Sequence, residues 1–453
     1  VAVRLAIMAA VALGLVLVGV HPAEGGLLLA YSVTTNSDVS SLWRKAQGKL
    51  MPGFNFVTPE FKWITDNMKD LQIDASLREM TFPVDILEDR GITSLPEGGR
   101  EAEPMTRNAV DATVSFIHVN GRFTVAKQAK WALMSDPSAA IENQLTFSGA
   151  KKLQALGRVL GDMFYGFSTN YICQTSTNAT QSSGTYTLLN AFGSSAIDGS
   201  STAEKNYIAN LIKVGDRVAL VRSGSLVSNS AFGTVTAVTP GTPSVAITWG
   251  GSVDSDANDY LVFSNGASGT TIAHTSYNRG LVGLLDICTS TSVHSISSST
   301  YPNWSVAYSD TTAGRFNGQK WRKGLDEIQN YGHEEAKPIT LMSQGVYRDV
   351  TAQYQAGLRY DDAFNLEIDG DPKAQGKKIR TSRRVPPGMV FLFDQNRAMR
   401  KKAIHDAPSK GPAWGDGKEL IDDAGWIFPV DWSGLMATSN RKCFAYWTQQ
   451  TEI

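Results

Sequence analysis

Cysteine is scarce: the 453 residues hold three, Cys173, Cys288 and Cys443, far apart and odd in number. A disulfide-stapled fold needs an even, closely spaced set, so three buried or free thiols are expected instead. An excess of either charge is missing too. Lys and Arg number 42 against 43 Asp and Glu, a net charge of -1 with only 19% charged residues. A free-standing nucleic-acid binder usually shows a basic excess, so the balance speaks against one. Long apolar runs are missing with one exception, the sixteen residues Leu5 to Val20 that follow Arg4. As a helix this run reaches roughly 24 Å, short of the ~30 Å hydrocarbon core of a bilayer. A basic residue before an apolar run is also how a secretory signal begins. The third element of such a signal is poor here, because His21-Pro22 and Ala23-Glu24-Gly25 make a weak cleavage site. The expectation is an apolar N-terminal arm buried against its own chain or a neighbouring copy. Its rival is the signal segment of an exported β-rich surface or secreted protein.

Catalytic and metal-binding patterns are missing as well. The six histidines, His21, His118, His274, His294, His333 and His405, form no H-E-x-x-H spacing, and no C-x-x-C pair exists. His333-Glu334-Glu335 lacks a second histidine at helical distance. Gly370 to Lys378 has five residues between its glycines where a phosphate-binding loop has four, and no Ser or Thr follows its lysines. Ser148-Gly-Ala-Lys151 matches a hydrolase nucleophile pattern without its companion elements. No catalytic residue, metal or cofactor is expected.

What the chain does carry is pattern. Ser76 to Leu87 and Val110 to Lys127 alternate as strands, the second with Val110, Ala112, Val114, Phe116 and His118 on one face. Between them Glu88 to Asn108 is polar and rich in Gly, Pro and charge. The two strands read as a long hairpin that cannot bury its faces within its own chain and needs a neighbour. Thr58-Pro59-Glu60 has helix-start chemistry for a short helix to Leu71. Asp136-Pro137-Ser138 opens a longer one, with Ile141, Leu145, Leu153, Leu156, Leu160, Met163, Phe164 and Phe167 along one face. Residues 170–205 read as irregular. Ile212 to Phe263 reads as four or five short strands, a small barrel or sandwich hung on a loop. A helix over Gln319 to His333, a strand feeding a helix over Pro338 to Tyr354, and C-terminal strands complete an α+β reading.

Three stretches resemble tailed-phage major capsid proteins. Arg279-GLVGLLD-Asp286 with the following VHSISSSTYPNW to Trp304 resembles that family's signature, Val385-PPGMVFLFD-Asp394 resembles one of its strands, and Ala437-TSNRKCFAYWTQ resembles its closing strand. Their order resembles the HK97-type fold over residues 40–453. The resemblance implies an α+β, HK97-like capsid fold: N-arm (1–72), E-loop hairpin (73–130), P-domain spine helix (131–170), A domain (171–204 and 269–385) and return strands (386–453). A small β-barrel domain (205–268) is inserted. It implies a structural and not a catalytic protein, self-assembled as hexamers and pentamers into an icosahedral virion shell around double-stranded DNA in the host cytoplasm. Implied partners are further copies of itself, a portal, scaffold or decoration proteins and the packaged DNA, but no membrane. The E-loop tip, with Arg90, Glu97, Arg100, Glu101, Glu103 and Arg107, is the expected intersubunit contact. The basic run with Lys377, Lys378, Arg380, Arg383 and Arg384 is a second candidate, for a neighbour or for the DNA backbone. Trp304, Trp321, Trp414 and Trp426 are expected to be exposed on the subunit and buried between subunits. One family feature is missing: no Lys lies between Lys69 and Lys127, so no E-loop lysine crosslink is expected.

Overall fold

In a computed structural model, the structure describes residues 68–70, 79–86, 109–126, 142–177, 179–227, 232–266, 272–331, 338–357, 373–374, 377–395, 397–403, 413–414, 418–419 and 425–452. The apolar N-terminal run, the start of the long helix at Asp136 and the E-loop tip lie outside them.

The hairpin forms as the alternation predicts, with Glu79–Asp85 pairing antiparallel with Ala109–Ser115. Its second leg then breaks at Phe116 and resumes as Ile117–Ala126, which pairs with Gly425–Ala437 in a different sheet. The break shifts the buried face by one residue. Ala112 and Val114 are buried before it and Ile117 after it, so His118 is not on the Val110 face but exposed. Ser433 meets His118 across the new pairing.

The expectation that the hairpin must find its cover on another chain is corrected. Met80, Phe82, Val84, Ile86, Ala112 and Val114 pack with Ile296, Trp304, Leu435 and Ala437 of the same chain. The body supplies the surface that an isolated hairpin lacks. The short helix expected over Thr58 to Leu71 is also corrected at its end, where Lys69–Asp70 pairs parallel with Arg400–Lys401 as a strand.

Helix α1, Glu142–Tyr165, is the spine. Its described apolar face buries Leu156, Leu160, Met163 and Phe164, at the helical spacing read from sequence. Beyond it a barrel closes: Tyr260–Gly266, Cys173–Thr175, Ala179–Leu189, Ser244–Ser255, Gly233–Thr239 and Arg217–Arg222 pair in that order, and the last pairs back to the first. Two of these six strands lie in the stretch read as irregular. Ser and Thr in the long strand Ala179–Leu189 hid it, although its half-exposed face suits them. Inside, the buried Trp249 donates its Nε1–H to the Tyr186 hydroxyl at 2.8 Å. Helix α2, Thr202–Leu211, is opened by a capping box of Ser201 and Glu204 and adds Tyr207, Ile208 and Leu211 to the core. The barrel residues Tyr186, Val218, Leu220 and Ile247 share one core with Leu160 and Phe164 of the spine. The barrel is therefore joined to the body by a continuous apolar interior and is not merely hung on a loop.

A six-stranded sheet carries the rest, in the order Tyr308–Asp310, Phe444–Trp447, Val390–Asp394, Pro338–Met342, Lys377–Thr381 and Lys373–Ala374. Its central strands are buried on both faces, and so read as unbroken apolar runs. Phe391 and Phe393 face the spine core, while Val390 and Leu392 face helices α4 (Gly318–Asn330) and α5 (Gln344–Gly357). A Cβ on Gly324 would lie 2.4 Å from the Trp447 ring, so α4 meets the sheet at a glycine. Trp321 and Trp304 are not exposed: both are buried, at 3% and 2% of their surface. Trp321 donates Nε1–H to the Thr340 hydroxyl at 2.8 Å. These rings close the subunit's own cores, and the side chains of Trp414 and Trp426 lie outside the described residues.

Candidate assembly site: the root of the hairpin

The site is built from residues 279–304 and 438–443, which converge on the hairpin and on the end of the spine. Gly280 and Gly283 let backbone touch backbone. A Cβ on Gly283 would fall 2.3 Å from the Gly166 carbonyl oxygen and 2.7 Å from those of Met163 and Phe164. One on Gly280 would fall 2.7 Å from the Phe167 carbonyl oxygen. Leu281, Leu284 and Leu285 are buried beside them. Asp286, in helix α3 (Leu284–Thr289), closes the contact. Its carboxylate accepts the Ser168 N–H at 3.0 Å, just past the spine, and the Ser290 hydroxyl at 2.6 Å.

A two-residue hairpin follows, Ser292–Val293 against Ile296–Ser297. Its turn residues His294 and Ser295 both have left-handed φ, 53° and 66°, a conformation that Asn and Gly take far more readily. The turn places His294 against the long hairpin. Its carbonyl accepts the Thr113 N–H at 3.0 Å, its Nε2 accepts the Thr438 N–H at 3.0 Å, and its ring meets Phe82 edge-on. Burial, and secondarily the Arg441 cation, pull its pKa from 6.5 down to about 3. Asn303 donates to the Ile86 carbonyl at 3.1 Å, and Trp304 Nε1–H donates to the Val293 carbonyl at 3.2 Å.

Arg441 is the hub. It is 3% exposed, and its guanidinium donates to the carbonyls of Ile287 (2.8 Å), Trp304 (3.0 Å) and Ser290 (2.8 Å). Burial lowers its pKa, while the carboxylate of Asp286 is among the groups opposing that shift. One cation thus binds the end of α3, the tryptophan turn and the closing strand into a unit. Arg441 and His294 were missed as site residues. The signal for Arg441 was a basic residue followed within two positions by the apolar run Cys443 to Trp447. The three thiols sit buried and outside any disulfide, with burial pushing Cys288 and Cys443 up to about 12.

Of the basic run, Lys377 and Lys378 lie in a sheet strand, Arg380 is half-buried and Arg383 is exposed. Arg384 is corrected as a surface contact. Its side chain is 12% exposed and bonds the Asp162 carboxylate and, at 2.8 Å, the Arg158 carbonyl, both on α1. Burial lifts the Asp162 carboxyl above its ordinary value, against the pull of Arg384 and Arg158. Arg90, Glu97, Arg100, Glu101, Glu103 and Arg107 lie outside the described residues, as do the side chains of Lys377 and Lys378. Among the described residues, no helix is long and apolar enough to cross a membrane.

No protein-family model matches the sequence, and no curated protein matches it. Solved structures do. The chain is similar to the cyanophage A-1(L) capsid asymmetric unit at 11% identity and a TM-score of 0.51, over 89% of this chain and 95% of that one. It is also similar to the capsid of the native GTA particle, at 11% identity and a TM-score of 0.43 over 95% and 100% of the two chains. The SrpI encapsulin of Synechococcus elongatus is similar at 10% identity and a TM-score of 0.40, over 91% and 95%. With its hairpin, spine helix, two-faced sheet and barrel-like sheet, the chain has the fold of the tailed-phage capsid proteins, the HK97-type fold.

Proposed function

We propose that the chain is the major capsid protein of a tailed phage or related prophage element, assembling into an icosahedral shell around double-stranded DNA. The observation that carries this is the hairpin root. Two of the three sequence stretches that resemble the capsid family, Arg279 to Trp304 and the one from Ala437, are spent on anchoring the base of the hairpin and the end of the spine, an arrangement with an evident mechanical use. On this reading residues 73–130 are the E-loop, 131–170 the spine, 205–268 the larger part of the inserted barrel, and 171–204 with 269–385 the A domain. Residues 386–453 return through the P domain. The tip residues Arg90, Glu97, Arg100, Glu101, Glu103 and Arg107 would reach a neighbouring copy. Lys377, Lys378, Arg380 and Arg383 remain candidates for a neighbour or for DNA phosphates, a contact that would weaken with salt. Portal, scaffold and decoration proteins would be the other partners, and assembly would take place in the host cytoplasm.

Negative-stain microscopy of the purified protein tests the reading. Uniform polyhedral shells tens of nanometres wide are expected, and monodisperse monomers of about 49 kDa would overturn it. Deleting residues 89–107 is expected to abolish shells while leaving a folded subunit, since the packed base of the hairpin lies in 79–86 and 109–115. Normal shells from that deletion would remove the tip from the assembly mechanism.

A further inference from the structure

We propose that His294 is a proton-operated latch on the root of the hairpin, holding it to the body when neutral and releasing it when protonated. Three observations of geometry converge on this side chain. It occupies a left-handed turn position next to a second one, Ser295, where neither residue is a glycine or asparagine. Strain of this kind persists only where surrounding contacts over-determine it. It also joins two separate pieces of the fold, the hairpin and the end of the long strand of the body. Through its carbonyl it holds Thr113 on one leg of the hairpin, through its ring it touches Phe82 on the other, and through Nε2 it holds Thr438, just past the long strand Gly425–Ala437. Finally, its Nδ1 is buried without a hydrogen-bond partner. With Nε2 accepting from Thr438, Nδ1 carries the proton of the neutral ring.

Protonation undoes this arrangement from the other nitrogen. A proton on Nε2 would point at the Thr438 N–H, turning an acceptor into a second donor and breaking that bond. It would also place a second cation beside buried Arg441, the charged group that acts on the ring. Nothing facing His294 from the hairpin offsets it: Phe82 and Thr113 are uncharged, and Glu79, Asp85 and Asp111 occupy exposed positions on the opposite face of the strands. From the end of the strand Gly425–Ala437 the facing group is Thr438, also uncharged. The pKa in the folded chain lies below that of a released histidine. The latch is therefore fully closed above the released pKa, near 6.5, and loosens as the pH falls through it towards the folded one. By pH 5 the release equilibrium rises about 30-fold.

The test is amide hydrogen exchange on the full-length protein, kept in one assembly state and corrected for intrinsic exchange at each pH. Protection of peptides covering 79–86 and 109–115 is expected to fall about 30-fold from about pH 7.5 to about pH 5, while the barrel strand Ser244–Ser255 holds its protection. His294→Asn keeps a residue suited to the left-handed turn and does not titrate, so its hairpin protection is expected to be flat with pH. His118→Gln removes the other histidine near the hairpin and is expected to behave as the wild type. A wild-type hairpin whose protection is independent of pH, or that loosens only together with the barrel, overturns the latch, whatever becomes of the variants. So does a His294→Asn protein with wild-type pH dependence. A role for the latch in assembly rests on the capsid reading, but the exchange measurement does not. Absent shells with this pH response intact would count against the capsid reading alone, and shells without the response against the latch alone.

Discussion

Gly283→Ala is expected to destabilise the body by about 4 kcal/mol or more, a large loss for a single methyl group. The added Cβ would fall within 2.3 to 2.7 Å of three carbonyl oxygens, those of Gly166, Met163 and Phe164. All three are backbone atoms at the end of the spine, so no side chain can swing away to make room. Either α3 or the last turn of α1 must move. Moving them breaks the Asp286 bond to the Ser168 N–H and opens the core around Leu284 and Leu285. Gly121→Ala is the control: a Cβ there meets nothing within 4 Å and lies in a strand, so its effect is expected to stay within about 0.5 kcal/mol. Urea unfolding followed by tryptophan fluorescence, with soluble yield measured beside it, separates the two variants. A Gly283→Ala protein with the wild-type midpoint would show that the spine and α3 do not pack as described.

Arg441→Met is expected to cost about 4 kcal/mol. Methionine keeps much of the stem's bulk, so the loss comes from chemistry and not from a void. Removing the guanidinium strands the carbonyls of Ile287, Ser290 and Trp304 in a buried site. Each orphaned acceptor is worth about 1–3 kcal/mol, offset in part by no longer burying a cation. Arg441→Lys keeps the charge but replaces the planar fork with a single point donor, so about half of the loss is expected to remain. The damage should be local first. Hydrogen exchange is expected to rise in peptides covering 284–306, and then in 79–86, because Asn303 and Trp304 hold the hairpin through Ile86 and their shared core. Wild-type exchange in both regions would remove Arg441 from its place as the hub.

Much of the architecture was legible because it repeats. The hairpin strands alternate with period two, the spine repeats with the helical period, and the central strands of the sheet are continuous apolar runs; each pattern follows from which faces are buried. The capsid-like stretches were legible as words, while their physical meaning was not. Nothing local in Gly283 says that it lies against Gly166, far back along the chain. Nothing in Arg441 says that it will meet three carbonyls 137 to 154 positions earlier. The barrel strand Ala179–Leu189 was hidden because its outward face is Ser and Thr, which read as loop until a neighbouring strand is seen beside them.

Legible in the residues alone were the hairpin strands, the spine helix and the central sheet strands, the lack of a disulfide framework, the near-neutral charge and the absence of a lysine between Lys69 and Lys127. Tertiary structure decided which surfaces are used up within the subunit. It covered the base of the hairpin from inside the chain, buried Trp304 and Trp321, turned Arg384 inward onto Asp162, and set His294 between the hairpin and the body. The reason is physical: periodicity reports that a face is apolar or a charge is present, but only the packing of distant segments decides what will cover or neutralise it.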